Sequence, residues 1–318
     1  MTVRQRILDV LELNRGEYLS GRYLVDELGV TRSAISKAVG ELVDTGYPIH
    51  TSRRGYMLDE RVSLLTLDGI DRHLYSDIPY TLLDEVVSTN DIAKRAGVFG
   101  EDEQVFIASS QSGGRGRRGR KFFCKKGTGI YMSLLLRPSI KADQTLRLTT
   151  MSAVAVADAI RDVVGIEAGI KWVNDVYIDG LKVAGILTEA SYGMESNSVD
   201  FVVVGVGINV VKPTEDYPEE LRGIAGAICD YPSLDVANAL ASRVIDNILE
   251  GYRDILKGDY SYVERYQRMS ILTGREVHVD NGDIARVIGI DDKCALVIEY
   301  PSGEKRALNS GEVSVRLR

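Results

Sequence analysis

The sequence predicts an α+β protein in three parts: a helical N-terminal unit closed by a hairpin, a central mixed α/β domain and a small C-terminal β-barrel. Three observations carry this reading. Within residues 1–60 apolar side chains recur at helical spacing three times, with glycines between the runs. From 62 to 268 apolar strand-like runs alternate with long amphipathic stretches. Over 270–318 apolar and polar residues alternate at period two between turn signals. A chain of 318 residues also exceeds what one ordinary core organises.

Composition narrows the function classes. The chain is 44% hydrophobic and 27% charged, as ordinary globular proteins are. No apolar run approaches the roughly 20 residues of a bilayer-spanning helix, so no membrane role is expected. Arg4 and Arg6 argue against a secretory leader. Cys124, Cys229 and Cys294 lie far apart without a CxxC spacing, which suits small packed residues in a cytoplasmic protein better than a disulfide framework or a zinc site. The net charge of −7 requires that any nucleic-acid contact come from local basic patches.

At the N-terminus Val3, Ile7, Val10 and Leu11 mark a first helix that Asn14-Arg15-Gly16 stops. Ser20 caps a second, carrying Leu24, Val25 and Leu28 and ended by Gly29; Thr31 caps a third running to about Thr45. The third gathers Ala34, Ile35, Ala38, Val39, Leu42 and Val43 into one stripe. Arg32, Ser33, Ser36 and Lys37 are left on the other face, residue types suited to phosphates and base edges. After Gly46, residues 47–58 read as a hairpin tipped by Arg53 and Arg54. These pieces, above all Leu28-Gly-Val-Thr-Arg-Ser-Ala-Ile-Ser-Lys37, resemble a winged helix-turn-helix, with Thr31, Arg32, Ser33, Ser36, Lys37, Arg53 and Arg54 toward DNA. Residues 1–60 hold 8 basic against 9 acidic side chains, so a scaffold for protein contacts is the alternative.

In the central domain 104–109, 129–136, 182–188 and 201–206 look like buried strands, and 146–164 and 236–256 like long amphipathic helices, giving a sheet with helices on one face. Between the first two strands lies Gln111-Ser-Gly-Gly-Arg-Gly-Arg-Arg-Gly-Arg-Lys121. It contains Gly114-x-Gly116-x-x-Gly119, but a dinucleotide-binding turn must open a helix and this loop leads on to a strand. Five cations among residues 114–121, spaced by glycines, instead form a clamp for carboxylate and phosphate oxygens. Such a loop repels itself when empty, so an anionic ligand is expected to order it. An RNA-binding loop or a solvated basic loop are the alternatives.

Two more segments point to the same chemistry. Lys171-Trp-Val-Asn-Asp175 ends a strand, Asp179-Gly180 makes a tight turn, and Lys182 begins the return strand near Asn174 and Asp175, where an ammonium could neutralise a reacting carboxylate and phosphate. Gly205-Val-Gly-Ile-Asn209 offers glycines for close backbone approach, at Gly205 and Gly207, and an amide for an adenine edge. An edge-strand lysine and a packing glycine pair are the plainer readings.

Ser88-Thr-Asn90, Gln111, Gly-Arg-Gly-Arg-Arg-Gly, Lys-Trp-x-Asn-Asp, Lys-x-Ala-Gly-Ile-Leu and Gly-x-Gly-Ile-Asn follow one another in an order that resembles the biotin–protein ligases carrying an N-terminal winged helix-turn-helix. The resemblance implies a catalytic domain of the biotin/lipoate ligase type over 62–268, between a DNA-binding domain at 1–60 and an SH3-like β-barrel at 270–318. By it Ser88, Thr89, Asn90, Gln111, Gly114, Arg115, Gly116, Arg117, Lys182, Gly205 and Gly207 meet biotin. Arg118, Arg120, Lys171, Trp172, Asn174 and Asn209 serve the nucleotide. Lys182, Arg117 and Asp175 act in catalysis, Asp175 as candidate base. The implied substrates are biotin and ATP with Mg2+, no residue being assigned as a metal ligand. The implied partners are a biotin-carrier domain whose lysine is modified, operator DNA, and a second copy of the chain once biotinyl-AMP, the corepressor, is bound. The family usually has Lys-Trp-Pro-Asn-Asp, and Trp after the loop lysine; here Val173 and Phe122 stand instead. No adenine-stacking residue is assignable between about Asp216 and Leu234. A lipoate–protein ligase, a ligase without DNA regulation and a non-catalytic ligand-sensing repressor are the competing functions.

In the last fifty residues 274–279, 285–290, 295–300 and 313–317 read as strands, with a turn at Asp280-Asn-Gly282.

Overall fold

The computed structural model describes residues 2–44, 47–59, 65–138, 140, 144–192, 199–213, 216–230, 234–279, 282–309 and 313–314. The expected ends of the third helix and of the last strand, and most of the turn at Asp280, lie outside them.

Helices α1 (Val3–Leu13), α2 (Gly21–Leu28) and α3 (Arg32–Asp44) precede an antiparallel hairpin, β1 (Ile49–Ser52) and β2 (Gly55–Leu58). The caps follow the sequence. The Tyr23 N–H donates to Ser20 Oγ at 3.0 Å, the Ala34 N–H donates to Thr31 Oγ1 at 3.3 Å, and Gly29 ends α2 at φ 64°, a left-handed conformation that favours glycine. Ile7, Leu11, Leu24, Ile35, Leu42 and Leu58 form this unit's core, while Thr31, Arg32, Ser33, Ser36, Lys37, Arg53 and Arg54 are exposed. The Arg54 guanidinium stacks 4.4 Å above the Tyr18 ring. Tyr47 Oη meets Thr66 Oγ1 at 3.1 Å, and the Thr66 N–H donates to Asn238 Oδ1, which ties the unit to the central domain.

The central domain runs α4 (Leu67–His73), β3 (Tyr80–Val86), α5 (Thr89–Val98), β4 (Gln104–Gln111), β5 (Gly129–Leu136), α6 (Thr145–Val164), β6 (Gly169–Lys171), β7 (Asp175–Ile178), β8 (Leu181–Tyr192), β9 (Val199–Asn209), α7 (Leu234–Leu256) and α8 (Tyr262–Arg268). Its seven strands are ordered β3-β4-β5-β9-β8-β7-β6, and only β3 and β4 run parallel. On one face Val105, Ile107, Leu134, Val204 and Val206 pack against α6 and α7. The expectation of helices on one face alone is corrected here. Phe106, Leu135, Phe201 and Val203 point the other way and bury Ala93 and Ala96 of α5. Strands apolar on both faces must be covered on both, and α5 covers part of the second face while the functional cleft occupies the rest.

The C-terminal strands β10 (Glu276–Val279), β11 (Ile284–Ile290), β12 (Leu296–Glu299), β13 (Lys305–Leu308) and β14 (Val313–Ser314) form one antiparallel sheet ordered β13-β12-β11-β10-β14. Strand β13, with three exposed positions, has too little apolar signal to be read from sequence.

Tyr266 on α8 is fully buried and its hydroxyl donates to the Val173 carbonyl at 2.9 Å. Burial holds its phenol well above the usual tyrosine range, so it remains a donor at all working pH values. Tyr266→Phe leaves a buried carbonyl unpaired, and we expect a loss of about 2 kcal/mol, read as a fall of several degrees in Tm by calorimetry; an unchanged Tm would show that this bond does not brace the turn between β6 and β7.

Candidate functional site

A cleft of about 340 Å3 lies on the second face of the sheet. Strand register builds its walls. Strand β9 pairs antiparallel with β5 (Ser133 opposite Gly205, Tyr131 opposite Gly207) and with β8 (Gly207 opposite Gly185). Side chains at Gly205 and Gly207 would collide with neighbours. A Cβ at 205 would fall 2.1 Å from Asn90 Oδ1, and one at 207 would fall 2.6 Å from the Phe122 ring. The two glycines thus make room for Asn90 and Phe122, themselves part of the lining.

The N-terminus of α5 closes one end. Gln111 Oε1 accepts from the Thr89 N–H at 2.7 Å and lies 3.1 Å from Thr89 Oγ1, while Gln111 Nε2 donates to Cys124 Sγ at 3.3 Å. Burial pushes the Cys124 thiol up to about 11, so it stays a thiol and donates to the Phe122 carbonyl. Cys124 therefore backs Gln111 from behind the lining of the cleft, a place its isolated position in the sequence gave no reason to expect. Behind Thr89, Ser133 Oγ lies 2.7 Å from Thr89 Oγ1 and 2.6 Å from Asn90 Oδ1, and Asn90 Nδ2 donates to Glu189 Oε2 at 2.7 Å. Glu189 is ion-paired with Lys94.

The basic loop is a hairpin in its own right. The Gly116 N–H donates to the Arg120 carbonyl at 2.7 Å, the Phe122 N–H donates to the Gly114 carbonyl, and a 3-10 turn spans Arg117–Gly119 with Arg118 at φ 56°. It runs on to β5 without opening a helix, which agrees with setting aside the dinucleotide-binding match. Arg115, Gly116, Arg117, Arg120 and Lys121 line the cleft; Arg118 and Gly114 do not. Arg115 is ion-paired with Asp91, and Arg117 Nη1 donates to Asn174 Oδ1 at 3.3 Å.

Opposite the loop, Asp179 (φ 50°) and Gly180 (φ 79°) form the tight turn between β7 and β8. It returns Lys182 beside Asp175, Nζ to Oδ1 2.6 Å, both side chains less than a third exposed. Asn174 anchors the strand end, donating from Nδ2 to the Ile186 carbonyl at 2.8 Å. Tyr177 also lines the cleft, its phenol pushed up to about 12 by burial and then by the Asp175 charge. Lys171 and Trp172 line it too, the Trp172 indole N–H donating to the Cys294 carbonyl at 3.0 Å.

Ser88, Thr89, Asn90, Gln111, Arg115, Gly116, Arg117, Arg120, Lys171, Trp172, Asn174, Asp175, Lys182, Gly205 and Gly207 thus converge on one cleft. Asn209 does not line it. It is buried and its Nδ2 donates to the Gly226 carbonyl at 3.0 Å, alongside the Tyr217 hydroxyl at 2.9 Å, which fastens 217–226 under the far rim. From that segment Leu221 and Ile224 reach the cleft, and no aromatic side chain of its described residues does. Tyr217 packs edge-on against Phe123 instead, centroids 5.8 Å apart. Sequence reasoning missed Phe122, Tyr177, Leu221, Ile224, Cys124, Ser133 and Glu189. Each is an unremarkable residue type in sequence, and Tyr177, Ser133 and Glu189 are placed by strand pairing while Phe122, Cys124, Leu221 and Ile224 come from the connecting segments. Among the described residues no group of three or more His, Cys, Asp or Glu side chains is arranged for a metal, and no helix is long and apolar enough to cross a membrane.

With this geometry in place, comparison with known proteins is informative. Residues 85–209 match the Biotin/lipoate A/B protein ligase family, residues 3–57 an HTH domain, and residues 273–316 the biotin protein ligase C terminal domain. The bifunctional ligase/repressor BirA of Bacillus subtilis (strain 168) is 33% identical over 319 residues, covering 96% of each chain. That of Escherichia coli (strain K12) is 30% identical over 314 residues, covering 96% of this chain and 95% of the other. A solved structure of biotin protein ligase from Aquifex aeolicus in complex with biotin and ATP superposes with a TM-score of 0.63 at 26% identity, over 75% of this chain and 98% of that one. Matched along nearly its whole length by such relatives, and with the three corresponding units in the same order, the chain belongs to the family of bifunctional biotin–protein ligase/repressors.

Proposed function

We propose that the chain joins biotin to ATP as biotinyl-5'-AMP, transfers the biotinyl group to a lysine of a biotin-carrier protein, and represses biotin genes through its N-terminal unit when the adenylate is bound. The observation that carries the reading is the single cleft in which the Thr89–Gln111 wall, the arginine loop and the Lys182–Asp175 pair face one another. One end is neutral and hydrogen-bonding, as a cyclic urea needs. The other is cationic, as a carboxylate beside a triphosphate needs.

In the first step a biotin carboxylate oxygen attacks the α-phosphorus of ATP and pyrophosphate leaves. Both reactants are anions, so bringing them together costs Coulomb energy unless cations stand ready. Lys182 and Arg117 supply them, Lys182 oriented by Asp175 and Arg117 by Asn174. Arg120 and Lys121 hold the phosphates, and the loop keeps water from the mixed anhydride. Leu221 and Ile224 offer an apolar rim to the adenine. Magnesium suits this site as a companion of ATP, since it binds through phosphates with one or two carboxylates and waters; Asp175 is the carboxylate in reach, and the bound ion would draw charge off the phosphates. In the second step the acceptor amine attacks the acyl carbon and AMP leaves, with Asp175 placed to accept the amine's proton.

In the N-terminal unit the exposed face of α3 reads the major groove and Arg53 and Arg54 on the wing meet phosphates. Adenylate-promoted pairing of two copies matches a two-fold operator. The domain division at 1–60, 62–268 and 270–318 and a cytoplasmic site of action belong to the same reading.

Incubating the full chain with biotin, ATP and magnesium should give a biotin-dependent adenylate by mass spectrometry together with pyrophosphate release, and lipoate should not replace biotin. Lys182→Ala or Arg117→Gly should reduce pyrophosphate release by about 100-fold or more; full activity in both would place the chemistry elsewhere. In gel shifts, operator affinity should rise when biotin and ATP are both added, and Arg32→Ala with Lys37→Ala should weaken binding and lower the salt slope by about two. Equal affinity with and without ligand would remove the repressor half of the reading.

A further inference from the structure

The reading helix and the wing of the N-terminal unit both spring from the neighbourhood of Tyr47. It stands between the end of α3 at Asp44 and the start of β1 at Ile49. Its N–H donates to the Leu42 carbonyl at 3.0 Å, and its carbonyl accepts from the Ile49 N–H at 2.8 Å. The residue belongs to the apolar core of its own unit, which is separate from the core of the central domain. Its hydroxyl leaves that core and meets Thr66 Oγ1 at 3.1 Å. Tyr47 is 4% exposed and Thr66 3%, so this bond between the two units is made away from water, where losing a partner costs most.

The oxygen that Tyr47 meets is itself fixed. Thr66 caps α4, its Oγ1 accepting from the Gly69 N–H at 3.1 Å, and its own N–H donates to Asn238 Oδ1 at 2.9 Å. Helix α4 lies tight on α7 at this point. A Cβ at Gly69 would fall 2.4 Å from Asn238 Cγ, and one turn further along α7 Ser242 Oγ donates to the Ile70 carbonyl at 3.1 Å. Asn238 and Ser242 are both buried, and α7 packs in turn against α6. A braced path therefore runs from the reading helix through Tyr47, Thr66 and Asn238 into the central domain. Arg4, 3.8 Å from Glu41 on α3 and 3.7 Å from Asp68 on α4, also bridges the units, but this contact is exposed and holds little.

We propose that the Tyr47–Thr66–Asn238 joint fixes the angle between the DNA-reading helix and the central domain, and so sets the half-site spacing that a pair of chains accepts. Tyr47 and Thr66 are positioning residues, acting through α3 and the wing. The inference rests on the reading in which two copies, paired by the adenylate, bind a two-fold operator. In such a complex the first half-site contact makes the second intramolecular, and its strength depends on how closely the second helix is already aimed. Half-sites lie one helical turn or a multiple apart, and each added base pair rotates the second by about a tenth of a turn. A stiff joint penalises a changed spacing, and a loose one tolerates it.

The test uses the full-length chain and an inverted-repeat duplex that it selects from random-sequence DNA in the presence of biotin, ATP and magnesium. Alongside stand the single half-site and versions of the repeat with one base pair added or removed at the centre. Tyr47→Phe keeps the ring in its core and removes only the hydroxyl. It should form biotinyl-5'-AMP and bind the half-site within about twofold of wild type, yet bind the full repeat about 10-fold less tightly. The altered spacings should cost the wild-type chain about 10-fold or more and the variant about threefold or less. Thr66→Val removes the same bond from the central-domain side, should act in the same direction, and stands in if Tyr47→Phe does not fold; Thr66→Ser keeps the oxygen and should behave as wild type. An unchanged affinity for the full repeat or an unchanged spacing penalty in Tyr47→Phe overturns the inference. So does an equal loss on half-site and full repeat, which is what damage to the winged-helix fold gives. A wild-type chain that selects no inverted repeat with both ligands present would instead defeat the paired-repressor reading, and the inference with it.

Discussion

The site depends on the register of β9 between β5 and β8. Side chains alternate along a strand with period two, so a slip of one residue exchanges the faces. In the observed register Val202, Val204, Val206 and Ile208 enter the core, and Gly205 and Gly207 open onto the cleft opposite Ser133, Tyr131 and Gly185. A slip would push valines into the space of Asn90 and Phe122 and bury the glycines where volume is needed. The core and the cleft thus demand the same pairing, and the four core aliphatics, each worth about 1.5–3 kcal/mol on burial, enforce the geometry of the functional face.

Charge is managed as closely as shape. The chain carries a net charge of −7, yet its cleft is cationic. Arg115 lies against Asp91, Lys182 against Asp175, and Arg117 against the Asn174 amide oxygen. Local partners of opposite sign or with lone pairs hold these cations along one cleft. Substrate carboxylate and phosphate oxygens can then take over these bonds without the loop having to gather its charges first, which is the preorganisation that favours a charged transition state.

Much of this was legible in the sequence. Helix caps at Ser20, Thr31 and Gly29, the turn at Asp179-Gly180, and strand cores at 104–109 and 201–206 follow from local chemistry, and the motif residues around 88–90, 111–121, 171–175 and 182 did gather. The second face of the sheet was not legible, for a physical reason. Its covering helix α5 meets the strands through Ala93 and Ala96, too small to register as an apolar stripe, and the strands answer with Ser133, Gly205 and Gly207 as well as apolar residues. Strand β8 runs past the expected 188 to Tyr192 and carries the charged Glu189. It is tolerated there because Lys94 and Asn90, 95 and 99 residues away, satisfy it. Ser133 is the extreme case, a lone hydroxyl in an apolar strand whose partners lie 44 and 43 residues distant.

The departures at Phe122 and Val173 are also explained by contacts rather than by local sequence. The Phe122 ring fills the space above Gly207, a packing role that needs an aromatic ring and no indole N–H. At Val173 the brace from Tyr266 is made to the carbonyl, which any residue possesses, proline included. Further support comes from either side. The Trp172 indole N–H is held by the Cys294 carbonyl in the C-terminal sheet, and the Ile170 N–H donates to the Met269 carbonyl at 2.7 Å. Cys294 reaches its position by adopting φ 68° in a turn whose Asp291 side chain accepts from the N–H groups of Lys293 and Ala295, a left-handed conformation that costs a non-glycine residue about 1–2 kcal/mol. That strain is sustained because the turn delivers a carbonyl to the one tryptophan of the chain. The C-terminal sheet is therefore part of the scaffold that aims Asn174 and Asp175, so its contribution to the site begins with backbone geometry, before any contact of its own with ATP or an acceptor protein.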